Sequence, residues 1–378
     1  MAQTDPLLAR AQRLLAAHPL VDGHNDLPWA IREAREKPMD VDAYDLRQRT
    51  PGHTDLARLA AGGVGTQFWS VYVPGEIRDS GFARVQLEQI DIARRVIAKY
   101  PDRLILAGSS ADIEAARAAG KVASLLGMEG GHVLENSLGA LRAYYDLGAR
   151  YLTLTHNVTL DWADAALGER KHRGLTAFGR SVVREMNRIG MLVDLSHVSP
   201  EVMHQALDVS QAPVIFSHSS ARAIVDHPRN VPDDVLRRLP RNGGVVMVTF
   251  VPAFISTAVQ RWEVARTAER QRLAPMPEAE RVAALRQWTL ANPEPTTTAS
   301  DVADHIEHIR QVAGIDHVGI GGDFDGIDHG PSGLADVGDY PNLIAELLRR
   351  GWSDEDVAKL VRENSLRALR GAEAVAGR

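Results

Sequence analysis

The chain has 378 residues, of which 44% are hydrophobic and 24% charged, a composition typical of soluble globular proteins. Its formal net charge of −6 argues against nucleic acid as the main partner, and the absence of cysteine excludes disulfides, thiolate nucleophiles and cysteine-based zinc sites. The N-terminus lacks the pattern of a signal peptide, and no apolar run reaches about 18 residues. We therefore expect a cytoplasmic protein without a membrane anchor.

The first predicted elements are a helix over residues 5–17 and a short buried strand over 21–26. Successive side chains on a strand point to opposite faces, so Asp22, His24 and Asp26 share one side. An imidazole and a carboxylate two residues apart supply part of a metal-binding site. An isolated pair of this kind is more often a capped turn with a hydrogen-bonded histidine.

Seven further apolar segments follow, separated by amphipathic helices. The remaining strands are predicted at 62–73, 122–129, 151–156, 191–197, 213–218, 243–250 and 318–323. Further helices are predicted at 54–61, 82–100, 110–119, 137–147, 176–189, 200–208, 233–239, 300–313, 341–349 and 354–370. Residues 257–299 are charged, partly helical and rich in proline, and we interpret them as an insertion over the barrel mouth.

This alternation defines the predicted fold. Apolar strands that alternate with helices imply parallel strands joined by crossover helices, and eight strands fit a closed α/β barrel of the (β/α)8 TIM type. No linker or repeat divides the sequence, so we expect one domain over 1–378. A doubly wound open sheet is the alternative, but Gly63-Val64-Gly65 lacks the third glycine of its fingerprint.

Polar side chains that can bind metal occur at the ends of six predicted strands, where such barrels carry their active sites. They are His24, Asp26, Glu129, His156, His197, His218 and Asp323. Each alone is more often a hydrogen-bonded core residue or a helix cap. Together they would cost on the order of several kcal/mol apiece to bury around one pore without a cation. By contrast, His305 and His308 are predicted to lie on a solvated helix face.

Six of these side chains are enough for two metal ions. One zinc ion takes about four ligands, and two metals about 3.5–4 Å apart that share a carboxylate would use all six. The six are His24, Asp26, Glu129, His197, His218 and Asp323. Mixed imidazole and carboxylate ligands suit Zn²⁺, with other divalent transition metals as alternatives.

Seven ordered motifs closely resemble the membrane (renal) dipeptidase family of the amidohydrolase superfamily. They are VDGHNDLPW (21–29), GMEGGH (127–132), RYLTLTHN (150–157), DLSHVS (194–199), APVIFSHSSAR (212–222), HPRNVPDD (227–234) and GGDFDG (321–326). The resemblance implies a soluble, bacterial-type binuclear zinc dipeptidase. It would hydrolyse dipeptides, including those with a C-terminal D-residue, by a metal-bridging hydroxide. Relatives of this kind are frequently homodimers.

The resemblance also implies a role for each residue. His24 and Asp26 would bind one zinc ion, His197 and His218 would bind the other, and Glu129 would bridge them. Asp323 would carry a proton beside the metals, His156 would steady the substrate carbonyl, and Arg229 would bind the substrate's terminal carboxylate. Two features depart from the family. Phe254 stands where a tyrosine is expected, and mammalian members lack the insertion 257–299. The alternatives are a metal-dependent amidohydrolase or lactonase acting on another small amide or ester, and a barrel that binds metal without catalysis.

Overall fold

Eight parallel strands close into a barrel. The computed structural model describes residues 5–77 and 81–377. In these residues the strands are β1 (Leu20–Asn25), β2 (Val64–Ser70), β3 (Leu104–Leu106), β4 (Val122–Glu129), β5 (Ala149–Thr153), β6 (Leu192–Asp194), β7 (Val214–Phe216), β8 (Val245–Val248) and β9 (Val318–Ile320). The order is β2-β1-β9-β8-β7-β6-β5-β4, and pairing of β2 with β4 completes the ring. The predicted (β/α)8 barrel is confirmed.

The strand β3 lies outside the ring, and no strand is predicted there. It pairs with the first residues of β4, Leu104 with Val122 and Leu106 with Ser124. On the same side, β5 pairs with the last residues of β4. A three-residue strand is too short to produce a recognisable alternation in the sequence.

Helices surround the barrel and follow the predicted order. They are α1 (Pro6–Ala17), α2 (Leu27–Arg32), α3 (Leu56–Ala61), α4 (Phe82–Lys99), α5 (Ser110–Ala118), α6 (Leu138–Asp146), α7 (Ala177–Ile189), α8 (Pro200–Val209), α9 (Asp233–Leu236), α10 (Leu239–Asn242), α11 (Pro252–Ile255), α12 (Thr257–Leu273), α13 (Glu278–Ala291), α14 (Ala299–Ala313), α15 (Tyr340–Arg349), α16 (Asp354–Ala358) and α17 (Asn364–Val375). A π-helical turn, Lys359–Glu363, joins the last two. Within the described segments, none of the helices has the length and apolar character needed to cross a bilayer.

Two details of the helices have simple causes. The helix α7 ends at Gly190, as predicted, because this glycine adopts a left-handed conformation with φ of 81°. The helix predicted over 233–239 is instead divided into α9 and α10. Pro240, the second residue of α10, has no N–H to continue a helix from α9.

Several predicted strands are too long at their carboxyl ends. His156, His197, His218 and Asp323 are expected at strand ends, but β5, β6, β7 and β9 end two or three residues earlier. His197 and Asp323 have φ angles of 67° and 65°, which are incompatible with extended backbone. The chain therefore turns before these side chains, which lie in the loops above the barrel.

The predicted insertion contains the helices α12 and α13. They contact each other, and the indole N–H of Trp262 donates a hydrogen bond to the carbonyl of Asn292 at 2.7 Å. The end of the insertion lies against the loop after β9, where His329 Nε2 is 3.2 Å from Glu294 Oε1. That loop follows Asp323, so the base of the insertion adjoins the carboxyl-terminal face of the barrel.

The prediction of a solvated face for His305 and His308 is wrong. His305 is fully buried, and its Nδ1 accepts a hydrogen bond from the Ala221 N–H at 3.0 Å. His308 is partly buried, and its Nε2 is 2.8 Å from Asp233 Oδ1. Both face neighbouring elements because α14 packs between α15 and the segments that follow β7 and β8.

Candidate metal centre

The structure brings the seven predicted side chains into one cluster above the barrel. In three overlapping groups, the potential ligand atoms all lie within 4.8 Å of one another. The groups are His24, Glu129 and His218; Glu129, His156 and His197; and His24, Asp26 and Asp323. His24 and Glu129 each belong to two groups, so they lie at the middle of the cluster.

The two carboxylate oxygens of Glu129 face different imidazoles. Oε1 is 2.9 Å from His197 Nε2 and 3.3 Å from His218 Nε2. Oε2 is 3.4 Å from His24 Nε2 and accepts a hydrogen bond from the Ser70 hydroxyl at 3.2 Å. A carboxylate that faces ligands on both sides has the position of a shared ligand.

A pair of aspartates completes the cluster on the side of His24. Asp26 Oδ2 lies 3.2 Å and Asp323 Oδ1 lies 3.9 Å from His24 Nε2. Asp26 also begins α2, but its side chain makes no capping hydrogen bond. The helix-cap interpretation therefore does not account for this carboxylate.

Neighbouring groups fix the orientation of three histidine rings. The Nδ1 atoms of His24, His197 and His218 lie 2.8, 3.0 and 2.8 Å from the Tyr151 hydroxyl, Asn157 Oδ1 and the Ser217 hydroxyl. The Ser217 hydroxyl also donates to Asp194 Oδ2 at 2.6 Å, so it accepts from the Nδ1–H of His218. This arrangement leaves the Nε2 lone pair directed into the cluster, as in metal sites where a second group orients each histidine.

The residues present fit a divalent metal. His24 Nε2 and Asp26 Oδ1 are buried without a hydrogen-bond partner. A buried polar atom left unsatisfied costs about 1–3 kcal/mol, so two in one cluster indicate an additional binding partner. Imidazole nitrogens and carboxylate oxygens are the donors that zinc and related transition metals take.

The electrostatics of the cluster favour positive charge beside His24. Burial alone would lower the pKa of His24, but Tyr151, Glu129 and Asp26 raise it well above its ordinary value. Burial would likewise raise the pKa of Glu129, but the charge on His24 and the close imidazoles of His197 and His218 hold it well below the usual range. Glu129 is therefore ionised and attracts a cation.

The pKa of Asp323 is shifted in the opposite direction to that of Glu129. Burial raises the pKa of its carboxyl group well above the usual range, and the charges of Asp26 and Glu129 add to this effect. His24 and Arg229 oppose the shift without cancelling it. A carboxyl group with a raised pKa is more readily protonated than an ordinary one, as suits a general acid or base.

Arg229 is buried in the cleft, with 2% of its surface exposed. From its own sequence context it would be assigned to the surface. Its guanidinium donates to the Ser219 hydroxyl at 3.4 Å and to the His218 carbonyl at 3.3 Å, and it lies 5.4 Å from the ring centre of Phe254. Among the described residues no carboxylate lies within 4.0 Å of it. Burial lowers its pKa to about 10, so it stays charged at neutral pH.

The cleft around these groups has a volume of about 380 Å³. Its wall also includes Asn157, Asp325, Gly326 and six largely apolar side chains: Trp29, Tyr72, Leu167, Val251, Phe254 and Ile327. Of the six, only Phe254 is singled out in the sequence. Tyr72 and Val251 lie two and three residues after the ends of β2 and β8, so the rule that barrel strands point their carboxyl ends at the site could have identified both.

The sequence matches a known protein family along nearly its whole length. Residues 8–378 match the family described as membrane dipeptidase (peptidase family M19). The chain is 44% identical to Dipeptidase 3 of Rattus norvegicus over 98% of this chain and 69% of that protein, and 43% identical to Dipeptidase 3 of Mus musculus over 98% and 68%.

Two solved structures resemble the fold. The probable dipeptidase PvdM of Pseudomonas aeruginosa has a TM-score of 0.84 at 24% identity, over 99% of this chain and 100% of that one. A metallo peptidase of Rhodobacter sphaeroides, solved with a phosphinate mimic of the dipeptide L-Ala-D-Ala, has a TM-score of 0.77 at 24% identity, over 94% and 99%.

Proposed function

Because the chain belongs to the membrane dipeptidase family, peptidase family M19, it is a metal-dependent dipeptidase, and we propose that two zinc ions share Glu129. The observation that supports this most directly is the position of Glu129. Its Oε2 faces His24 at 3.4 Å, whereas its Oε1 faces His197 and His218 at 2.9 and 3.3 Å. His24 and Asp26 would hold one ion, and His197 and His218 the other.

We further propose that Asp323 carries the proton of the reaction. Metal ions bound here would polarise the substrate carbonyl and lower the pKa of a coordinated water. Asp323 Oδ1 lies 3.9 Å from His24 Nε2, at the edge of the cluster. It can take a proton from the attacking water and pass it to the leaving amine, which must leave neutral.

We propose that His156 and Arg229 hold the substrate. The Nε2 of His156 is 3.8 Å from Glu129 Oε1, and its ring is in contact with Tyr72 in the cleft. From this position it would donate a hydrogen bond to the carbonyl oxygen of the scissile bond. Arg229 offers a planar pair of donors for the terminal carboxylate of a dipeptide, the partner that its buried guanidinium lacks.

Anchoring by both Arg229 and the metals would select short substrates. In a dipeptide the terminal carboxylate lies one residue beyond the scissile carbonyl, so Arg229 and the metals can hold both ends at once. A longer peptide would place its carboxylate elsewhere. We propose that dipeptides with a C-terminal D-residue are cleaved as well. The anchors would fix the backbone on both sides of the Cα atom, so its configuration would change only the direction of the side chain. The L-Ala-D-Ala mimic bound to the Rhodobacter sphaeroides relative supports this proposal.

The apolar wall of the cleft points to apolar side chains in the substrate. Trp29, Tyr72, Leu167 and Ile327 surround the metal cluster in a volume of about 380 Å³, which suits a small ligand. Apolar contact contributes about 25 cal/mol per Å² of buried surface. We therefore expect dipeptides with bulky apolar residues to have higher kcat/KM than those with charged side chains.

The test compares kcat/KM for L-Ala-D-Ala, L-Ala-L-Ala, L-Ala-L-Ala amide and tri-L-alanine. Loss of one charge-assisted hydrogen bond costs about 1.5–3 kcal/mol, or roughly ten- to more than a hundredfold. The amide and the tripeptide should be poorer by this factor in the wild type, and Arg229→Ala should abolish the preference.

Arg261→Ala, which removes an exposed arginine from α12, serves as the control and should keep the wild-type preference. Equal rates on amide and free acid in the wild type would show that Arg229 does not bind the carboxylate. Elemental analysis of purified protein should find about two metal ions per chain, and a single ion after reloading would refute the shared carboxylate.

A further inference from the structure

A second cavity lies at the end of the barrel opposite the metal cluster. Its wall includes Pro19 before β1, residues 63–65 at the start of β2 and residues 121–122 at the start of β4. We call it the floor cavity. Its volume of about 380 Å³ equals that of the catalytic cleft and falls in the range of about 300–1,000 Å³ typical of small-ligand sites.

The floor cavity is lined by positive charge. Four cationic side chains border it: Arg103, Arg117, Lys121 and Arg362. Among the described residues no aspartate or glutamate borders it. Since the whole chain carries a net charge of −6, this local concentration of positive charge is opposite in sign to the net charge of the molecule.

Nearby carboxylates balance only part of this charge. Glu114 Oε2 accepts a hydrogen bond from Arg362 at 2.8 Å and lies 3.9 Å from Arg117 Nη1, while its Oε1 accepts one from Arg370 at 3.0 Å. Glu363 lies 3.5 Å from the Nε of Arg362. One carboxylate, Glu114, is thus shared by three arginines.

Two of the cations lack a close carboxylate, although the charge of Arg103 contributes to the lowered pKa of Asp102. In the described part of the chain, Arg103 and Lys121 have no carboxylate within 4.0 Å. Arg362, by contrast, is held in place, with 1% of its side chain exposed. Three cations that border one cavity, two of them without a carboxylate within 4.0 Å, form an arrangement that an anion would stabilise.

Part of the lining of the floor cavity is apolar. Leu15, Leu56, Leu59 and Val64 contribute to it, and each is otherwise buried in the hydrophobic core. A purely inorganic anion would contact only the cationic side of the cavity. A molecule with both an anionic group and a hydrocarbon part would match both sides.

We propose that the floor cavity binds a small organic anion with an apolar body. Its carboxylate or phosphate group lies between Arg103, Lys121 and Arg362, and its hydrocarbon part lies against Leu59 and Val64. The site is separate from the metal cluster, and its occupation does not depend on the dipeptidase reaction.

Isothermal titration of the metal-loaded protein tests the proposal with four probes: hexanoate, hexyl phosphate, inorganic phosphate and hexanol. At least one of the first two should bind, and whichever is tighter identifies the anionic group. Inorganic phosphate and hexanol should bind at least about tenfold more weakly, because each lacks one half of the recognised chemistry.

Variants locate the binding. Arg103→Gln and Lys121→Gln should each weaken the tighter probe by about three- to tenfold, since both side chains are partly exposed. Arg261→Gln makes the same charge change on α12 and should leave binding unchanged. All three variants should keep wild-type dipeptidase activity, which also shows that they fold.

Three results would overturn the proposal. The first is no heat of binding with hexanoate or hexyl phosphate up to about 10 mM. The second is equal affinity in wild type, Arg103→Gln and Lys121→Gln. The third is competitive inhibition of dipeptide hydrolysis with an inhibition constant equal to the measured Kd, which would place the anion at the metal centre.

Discussion

Replacement of Ser217 by alanine tests whether the metal cluster depends on the groups behind its ligands. Ser217 connects the buried carboxylate of Asp194 to His218, at 2.6 Å and 2.8 Å. In Ser217→Ala, Asp194 keeps its hydrogen bonds from the Thr153 hydroxyl and the Ser196 N–H. The Nδ1–H of His218 loses its acceptor in a fully buried position.

The magnitude follows from that lost acceptor. An unsatisfied buried donor costs about 1–3 kcal/mol, and the ring can avoid this cost by moving its proton to Nε2. A protonated Nε2 cannot bind a metal, so the variant should bind its metals about 10–100-fold more weakly, the usual effect of losing such a group. This equals about 1.4–2.7 kcal/mol.

The assay is competition of the protein with a chromogenic chelator, followed by kcat/KM at saturating metal. Ser220→Ala is the matched control, because Ser220 is a buried serine in the same loop whose hydroxyl, among the described residues, donates one long hydrogen bond, to the Thr249 carbonyl at 3.5 Å. Ser220→Ala should bind metal as the wild type does. Unchanged metal affinity in Ser217→Ala, with Ser217→Thr also unchanged, would show that His218 is oriented without Ser217 or does not bind metal.

Three further predictions address other groups. Glu129→Ala should lose both metals together in elemental analysis after dialysis, whereas His197→Ala should lose mainly one; loss of a single ion from both variants would argue against a shared carboxylate. Asp323→Asn should keep most of its metal and lower kcat at least about a hundredfold; near-normal kcat would remove Asp323 from proton transfer. Burial lowers the pKa of His305 to about 4, below its ordinary value, so the stability that the neutral ring provides is lost as pH falls from about 6.5 towards 4. Between pH 7 and 5 this loss of unfolding free energy amounts to about 2 kcal/mol. Urea unfolding should therefore show that His305→Gln loses less stability than the wild type over this interval. An equal loss in the two proteins would contradict the lowered pKa of His305.

The sequence alone determined the barrel and the composition of its site. Eight apolar segments alternating with amphipathic helices specify a parallel barrel, because each strand must be buried on both faces and each helix on one. The same pattern located the carboxyl ends of the strands to within a few residues. Side chains such as His24 and Glu129 could therefore be assigned to one cleft, although they are far apart in the chain. The domain boundary, the homodimer and the cytoplasmic location remain predictions.

The tertiary structure decided which polar groups lose contact with water. From their local sequence, Arg229 and His305 would both be assigned to the surface, yet each is buried by elements far away in sequence. The left-handed turns at His197 and Asp323 could not be predicted from the sequence either, because they bring these two side chains into the cluster against the local preference of the backbone. The floor cavity depends in the same way on α1, α3, β4 and Arg362 meeting at one end of the barrel. Periodicity along the chain indicates which face of a helix or strand is apolar. Burial and charge balance depend on which faces pack together, and this packing is determined only in the folded chain.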